Sequence, residues 1–183
     1  MALTHALMSQ KYAGLAWGFH VSPDSCDNPA YYETYLRLCA VDDHIHGMGV
    51  THLVVDCDDD GNAKAIAGFV TLRATSLIST DKDGVKIVHP SLEIAELAVS
   101  KDYERRGIGS TLVNLAIYIA DELRNGLLGI KYVVLCADPQ AVDFYEKKMD
   151  FGKIGELYET LHDGWNNRCE PMYITLPDYT AGE

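Results

Sequence analysis

The segment that most constrains the fold is a glycine-bearing turn set between two regular elements. Residues 92–99 (LEIAELAV) alternate in the manner of a strand, and residues 101–109 (KDYERRGIG) form the turn. Residues 110–124 (STLVNLAIYIADELR) then carry an apolar face at helical spacing and end at Asn125-Gly126. A helix opened by such a turn leaves its first backbone N–H groups without intrahelical partners, and its peptide dipoles add partial positive charge there. That is an anion site, and a diphosphate suits it. Gly107 and Gly109 allow a close approach that a Cβ would prevent. Arg105 and Arg106 add full positive charge to a chain whose formal net charge is −12.

Other phosphate loops fit poorly. The P-loop string GxxxxGK(S/T) is absent. The dinucleotide fingerprint needs GxGxxG, and only GIGS is present. On its own, a GxG pair ahead of a helix is equally well a plain tight turn, so the rest of the chain must decide.

With 183 residues, of which 48% are hydrophobic, the chain suits one domain over residues 1–183 with a core of its own. No apolar run approaches the roughly 20 residues that cross a bilayer. The start (MALTHALMSQKYAG) lacks a basic segment followed by an apolar one, so a cytoplasmic location and no membrane are expected. Cys26, Cys39, Cys57, Cys136 and Cys169 are scattered without a CxxC pair. Reduced thiols are expected rather than a disulfide framework or zinc site, with Cys136 as a small buried hydrophobe. The acidic balance, with a pI near 4.9, speaks against nucleic acid and favours a cationic amine as partner.

Residues 29–43 predict a helix capped by Asp27 or Asn28, and residues 51–56 a strand. A turn at 58–62 and a strand over 65–74 complete a hairpin. A second turn, 81–84, sits in a polar connection ending at His89-Pro90. Residues 132–137 (YVVLCA) predict a strand buried on both faces. Residues 139–148 follow as a helix capped by Asp138 with Pro139 at its first position. A strand near 155–161, a loop (HDGWNNRCEP) and a closing strand over 172–176 finish the chain. Strict βαβ alternation is missing, so the class is α+β or mixed α/β, one central sheet with helices on both faces.

Two ordered segments then resemble the GNAT superfamily of N-acetyltransferases. That family carries a strand, (R/Q)xxGx(G/A) and a helix, which residues 92–124 match, and an NxxAxxFY segment, which DPQAVDFY at 138–145 resembles. The resemblance implies a mixed, mostly antiparallel sheet and acetyl-CoA as acyl-donor co-substrate, with no metal. It implies that Leu97, Ala98 and Val99 splay from the neighbouring strand and pair with the pantetheine arm. Backbone amides of Arg105, Arg106, Gly107, Ile108, Gly109 and Ser110 would hold the pyrophosphate. Three departures stand out: Glu104 replaces Arg/Gln, Asp138 replaces Asn at a pantetheine contact, and Asp150 stands where glycine is usual, with one residue extra before it.

Tyr145 resembles the family's general acid for the departing thiolate, and would otherwise pack its helix on the sheet. For the base that deprotonates the incoming ammonium, Glu93 and Glu96 compete with a water or an already neutral amine. Their odd separation points them to opposite faces of a regular strand. His44 and His46, with His52 nearby, fit a solvated loop better than a metal site. Phe69, Leu72, Tyr31, Tyr32 and Tyr35 fit the core better than an acceptor pocket. The N-terminal half is similar to a GNAT branch that includes toxins acting on aminoacyl-tRNA. Direct acetylation of a primary amine is the leading expectation; the alternatives are that toxin activity or a silent acyl-CoA-binding module. A homodimer through edge strands is compatible with the sequence.

Overall fold

A computed structural model of the chain describes residues 2–155, 159–160 and 169–177. In chain order the elements are β1 (Ala2–Leu7), α1 (Gln10–Ala13), α2 (Pro29–Leu38), α3 (Ala40–Ile45), β2 (Val50–Cys57), β3 (Ala63–Thr80), β4 (Lys86–Val99), α4 (Ile108–Gly126), β5 (Tyr132–Ala137), α5 (Val142–Met149), β6 (Gly152–Lys153), β7 (Glu159–Thr160) and β8 (Glu170–Thr175). The sheet runs β1-β2-β3-β4-β5-β8-β6, and β7 pairs with β3. Among the described residues β4 with β5 is the one parallel pairing, and the rest are antiparallel. This is the mixed, mostly antiparallel sheet expected.

Helices cover both faces. Ile108, Leu112, Val113 and Ala116 of α4 pack with Val70, Leu72, Ile94 and Leu135, and Tyr145 and Met149 of α5 join them. On the opposite face Tyr35 and Leu36 of α2 and Ala40 of α3 pack with Leu53, Phe69 and Ala98. Gly68 lets α4 settle close to the sheet, since a Cβ there would lie 2.8 Å from Ile108 and 3.1 Å from Leu112.

Local chemistry explains the element ends. Asn28 Oδ1 accepts from the Tyr31 N–H at 3.3 Å, and Pro29 opens α2. The single helix expected over 29–43 is two, because Cys39 ends one and caps the next. The break turns Ala40 into the core and brings Asp43 to 2.9 Å from the Tyr35 hydroxyl. The connection expected before His89-Pro90 is strand instead. Its β-branched residues pair as far as Thr80 with Lys86, leaving only residues 81–85 outside the ladder. Sequence patterning predicts no strand at β1, yet β1 forms the outer edge of the sheet. Of the loop expected at 162–171, residues 162–168 lie outside the described residues, and Glu170 and Pro171 belong to β8.

The thiol expectation is corrected. Cys136 and Cys169 form a disulfide, with Cα atoms 5.4 Å apart. Antiparallel pairing of β8 on β5 matches Ala137 with Glu170 and so carries Cys169 to the end of β5. A sequence separation of 33 conceals that neighbourhood. Cys26, Cys39 and Cys57 are free thiols. Among the described residues no helix is long and apolar enough to cross a membrane.

Candidate active site

The sheet opens where the two parallel strands stop pairing. β4 and β5 match only from Ser91 with Tyr132 to Ile94 with Leu135, although β4 continues to Val99 and β5 to Ala137. Beyond that point the backbones part, and a cleft of about 460 Å³ lies between Leu97, Ala98 and Val99 on one side and Cys136 and Ala137 on the other.

The glycine turn closes one end of this cleft. Gly107 caps α4 at φ 81°, in left-handed backbone that glycine adopts without strain. The first helical bond is Thr111 N–H to the Gly107 carbonyl at 3.0 Å, so the amides of Ile108, Gly109 and Ser110 have no intrahelical acceptor. The buried Ser110 Oγ has no hydrogen-bond partner either, and Ser110 lines the cleft. Unpaired amides and an orphaned hydroxyl at the start of a long helix fit a diphosphate. The two arginines differ: Arg105 lines the cleft, whereas Arg106 folds back to donate to the Asp102 carbonyl at 3.0 Å and to cover the Tyr103 ring. Glu104 also lines the cleft, with a buried Oε1 that lacks a hydrogen-bond partner.

Asp138 does two jobs. Its Oδ1 accepts from the Gln140 N–H at 3.0 Å, capping the turn into α5, and its Oδ2 accepts from the Asp27 N–H at 2.9 Å. Gln140 Nε2 completes the clasp on Asp27 Oδ1 at 2.7 Å. The clasp holds residues 21–28 along the cleft, where Val21, Ser22 and Cys26 line it. Sequence reasoning misses this wall, since nothing local ties residue 27 to residue 138. Burial pushes the Cys26 thiol up to about 11, which keeps it protonated and poorly nucleophilic at neutral pH. At the other end of α5, Asp150 takes φ 58° and closes the helix where glycine is usual.

Tyr145 both packs and faces the cleft. It is 6% exposed, lies edge-on to Phe144 and Phe151, and lines the opening. Burial raises its hydroxyl pKa, so the phenol stays protonated. Tyr32 lines the same cleft.

The expectation for Glu93 and Glu96 is corrected. Ile94 pairs with Leu72 and Glu96 with Thr71, so Ala95 is an extra residue in β4. This bulge cancels the odd separation and turns both carboxylates to one face, beneath α2 and α3. Both are buried, at 4% and 5% exposure. Glu96 Oε1 accepts from the Tyr31 hydroxyl at 2.6 Å and lies 3.5 Å from the Arg73 guanidinium. Burial pushes the Glu96 carboxyl up to about 7, against the Tyr31 hydrogen bond and Arg73, with Glu93 and Asp43 adding to the rise.

Phe69 and Leu72 are core residues on opposite faces, and Tyr35 is buried. His44 belongs to α3 rather than to a loop, and the His46 ring meets the Asp42 carbonyl at 2.9 Å. His52 Nδ1 lies 2.9 Å from His5 Nε2, and burial with His5 and His44 lowers its pKa to about 4. Among the described residues no group of three or more His, Cys, Asp or Glu is placed to hold a metal.

Residues 22–151 match the Acetyltransferase (GNAT) family. The chain belongs to that family. No curated protein matches it in sequence. Among solved structures the GNAT chain is similar to a tyrosine-to-phenylalanine mutant of the toxin AtaT bound to the C-terminus of the antitoxin AtaR and acetyl-CoA, with TM-score 0.69, 14% identity, and 94% and 92% of the two chains covered. It is similar to a tyrosine-to-phenylalanine mutant of KacT, with TM-score 0.71, 14% identity and coverage of 96% and 95%. AtaT complexed with acetyl-methionyl-tRNAfMet gives TM-score 0.70, 14% identity and 95% coverage of both chains. At these identities the likeness is one of fold.

Proposed function

We propose that this GNAT protein is an acetyl-CoA-dependent N-acetyltransferase acting on a primary amine by direct attack. The observation that carries it is the opening between β4 and β5, floored by the free amides of α4 and edged by the protonated Tyr145. Acetyl-CoA supplies a thioester carbonyl open to attack. The amides of Ile108, Gly109 and Ser110 and the Arg105 side chain hold its diphosphate, and the free edge of Leu97 to Val99 orients its amide-bearing arm.

Glu96 takes the proton that makes the incoming ammonium nucleophilic, since its carboxyl titrates near neutrality and is partly ionised there. The amine nitrogen bonds to the carbonyl carbon, the carbon–sulfur bond breaks, Tyr145 protonates the departing thiolate, and the proton that the new amide nitrogen sheds restores the Tyr145 phenol. Glu93 and Asp43 beside Glu96 favour a cationic acceptor.

A second reading is acetylation of an aminoacyl-tRNA, favoured by full-length likeness to AtaT in complex with acetyl-methionyl-tRNAfMet. The net charge of −12 opposes it. A thermal-shift titration with acetyl-CoA on the intact protein and on Gly107→Glu tests the donor site. A saturable shift lost in the variant supports it, and no shift at saturation removes the enzyme reading. Thiol release with small amines and with aminoacyl-tRNA then separates the acceptors.

A further inference from the structure

Glu96 is nearly sealed. It is 5% exposed, and neither it nor Tyr31 lines the cleft, so an acceptor amine has little direct access to the carboxylate. Tyr31, by contrast, is 49% exposed, and its hydroxyl donates to Glu96 Oε1 at 2.6 Å, within the range of a strong charge-assisted bond. Tyr31 also stands edge-on to Tyr32, with ring centroids 5.4 Å apart, and Tyr32 lines the cleft. Tyr145 is close enough to Tyr32 to oppose its ionisation, after burial and Glu96. The phenols thus form a row from the opening of the sheet to the buried carboxylate.

We propose that the Tyr31 hydroxyl meets the acceptor ammonium and relays its proton to Glu96. The inference rests on Glu96 as the base. The nitrogen–hydrogen bond of the ammonium breaks as a new bond forms to the Tyr31 oxygen. The proton already on that oxygen passes to Glu96 Oε1. The ammonium becomes an amine, Glu96 becomes a carboxylic acid, and Tyr31 ends unchanged; the reverse passage returns the proton to solvent once product has left.

The surroundings suit this. Burial and the Glu96 charge raise the Tyr31 pKa, so the phenol passes a proton in a concerted step without resting as phenolate. Arg73, 3.5 Å from the same oxygen, stabilises the ionised carboxylate that must receive it. The charged and titratable groups facing Glu96 are Tyr31 and Tyr32 from α2, Asp43 from α3, Arg73 from β3 and Glu93 from β4. Burial, with Glu93 and Asp43 adding to it, holds Glu96 near neutral pH, where it can both accept and release a proton.

The test compares Tyr31→Phe, Glu96→Gln and the double variant, using acetyl-CoA and a saturating small primary amine, with acetyl-CoA thermal shifts as the binding control. The relay predicts that Tyr31→Phe lowers kcat as far as Glu96→Gln, by about 10²–10⁴-fold as for a general base. The double variant is no worse than either single one, and the acetyl-CoA shift is unchanged. If Glu96 acts directly, Tyr31→Phe retains kcat at high pH with its acid limb moved upward, which overturns the relay. Full activity of Glu96→Gln overturns both the relay and the base assignment. A separate readout needs no turnover: in ¹³C-tyrosine-labelled protein without acetyl-CoA, the Tyr31 Cζ resonance should inflect with the Glu96 titration near 7, and not in Glu96→Gln. A Tyr31 resonance flat across that range overturns the relay even where acetyl transfer is intact. Absent turnover with the inflection present overturns the acetyltransferase reading, and the relay with it.

Discussion

The Asp138 carboxylate accepts from the Asp27 N–H at 2.9 Å, joining residues 111 positions apart across the mouth of the cleft. The same carboxylate caps the turn into α5. Asp138→Ala therefore removes a cap and a clasp together, costing about 1–2 kcal/mol. The expected outcome is a lower Tm and a weaker acetyl-CoA affinity, with kcat at saturation changed least. Unchanged binding by calorimetry would show that residues 21–28 hold the wall without the clasp.

A methyl group on Gly107 would meet only open space, so bulk alone does not exclude an alanine. Its φ of 81° does. Gly107→Ala should cost about 1–2 kcal/mol from left-handed backbone and misdirect the amides that follow. Gly107→Asn, which tolerates that region, should lose less. Urea unfolding of the two variants checks the order.

Glu104 places a carboxylate on the wall of the cleft proposed to hold the diphosphate. Glu104→Gln keeps the shape and removes the repulsion, so acetyl-CoA should bind up to about fivefold tighter at low salt, with less difference at high salt. Titrations at two ionic strengths measure it. Equal affinity at both would mean that the carboxylate points away from the diphosphate.

Glu96 makes stability depend on pH. Its carboxyl rises from the ordinary 4.5 to about 7 on folding, so the folded chain holds the proton more tightly. Below about 4.5 both states are protonated and the contribution is fully present. It is lost as pH rises towards 7, because the unfolded chain ionises first. Glu96→Gln should therefore gain Tm relative to the parent on going from about pH 4.5 to about pH 8, by roughly 2–4 °C per kcal/mol. Acetyl transfer by the parent should fall as pH drops through about 7, because the base is then protonated. A Tm difference independent of pH would show that Glu96 titrates normally.

The Cys136–Cys169 disulfide closes a chain separation of 33 residues. Cys169→Ser should cost about 3–4 kcal/mol, or roughly 10 °C in Tm. Reductant should bring the parent to a similar value and leave the variant alone. A parent insensitive to reductant would show that the sheet holds β8 without the bond.

Much of the α4 side was legible because its signals are local. The turn and helix from Gly107 onward, the span of β5, and the Asp138-Pro139 start all follow from residues adjacent in the chain. Glu93 and Glu96 show where such reasoning fails. Period-two alternation sends them to opposite faces, and only pairing with β3 reveals the extra residue at Ala95. The β3–β4 hairpin past Ala74 fails for a related reason: polar residues there are carried by ladder partners, not by their own alternation.

By itself, then, the sequence determined the family, the glycine turn that opens α4, and the phenol and carboxylates offered for chemistry, because turn, cap and periodicity are set by neighbours along the chain. Only the tertiary structure decided that Tyr31 covers Glu96, that Asp138 clasps Asp27, and that Cys136 meets Cys169. Each of those contacts depends on register and packing between distant segments, and hydrogen-bond or sulfur geometry at a few ångströms leaves no periodic trace in the chain that makes it.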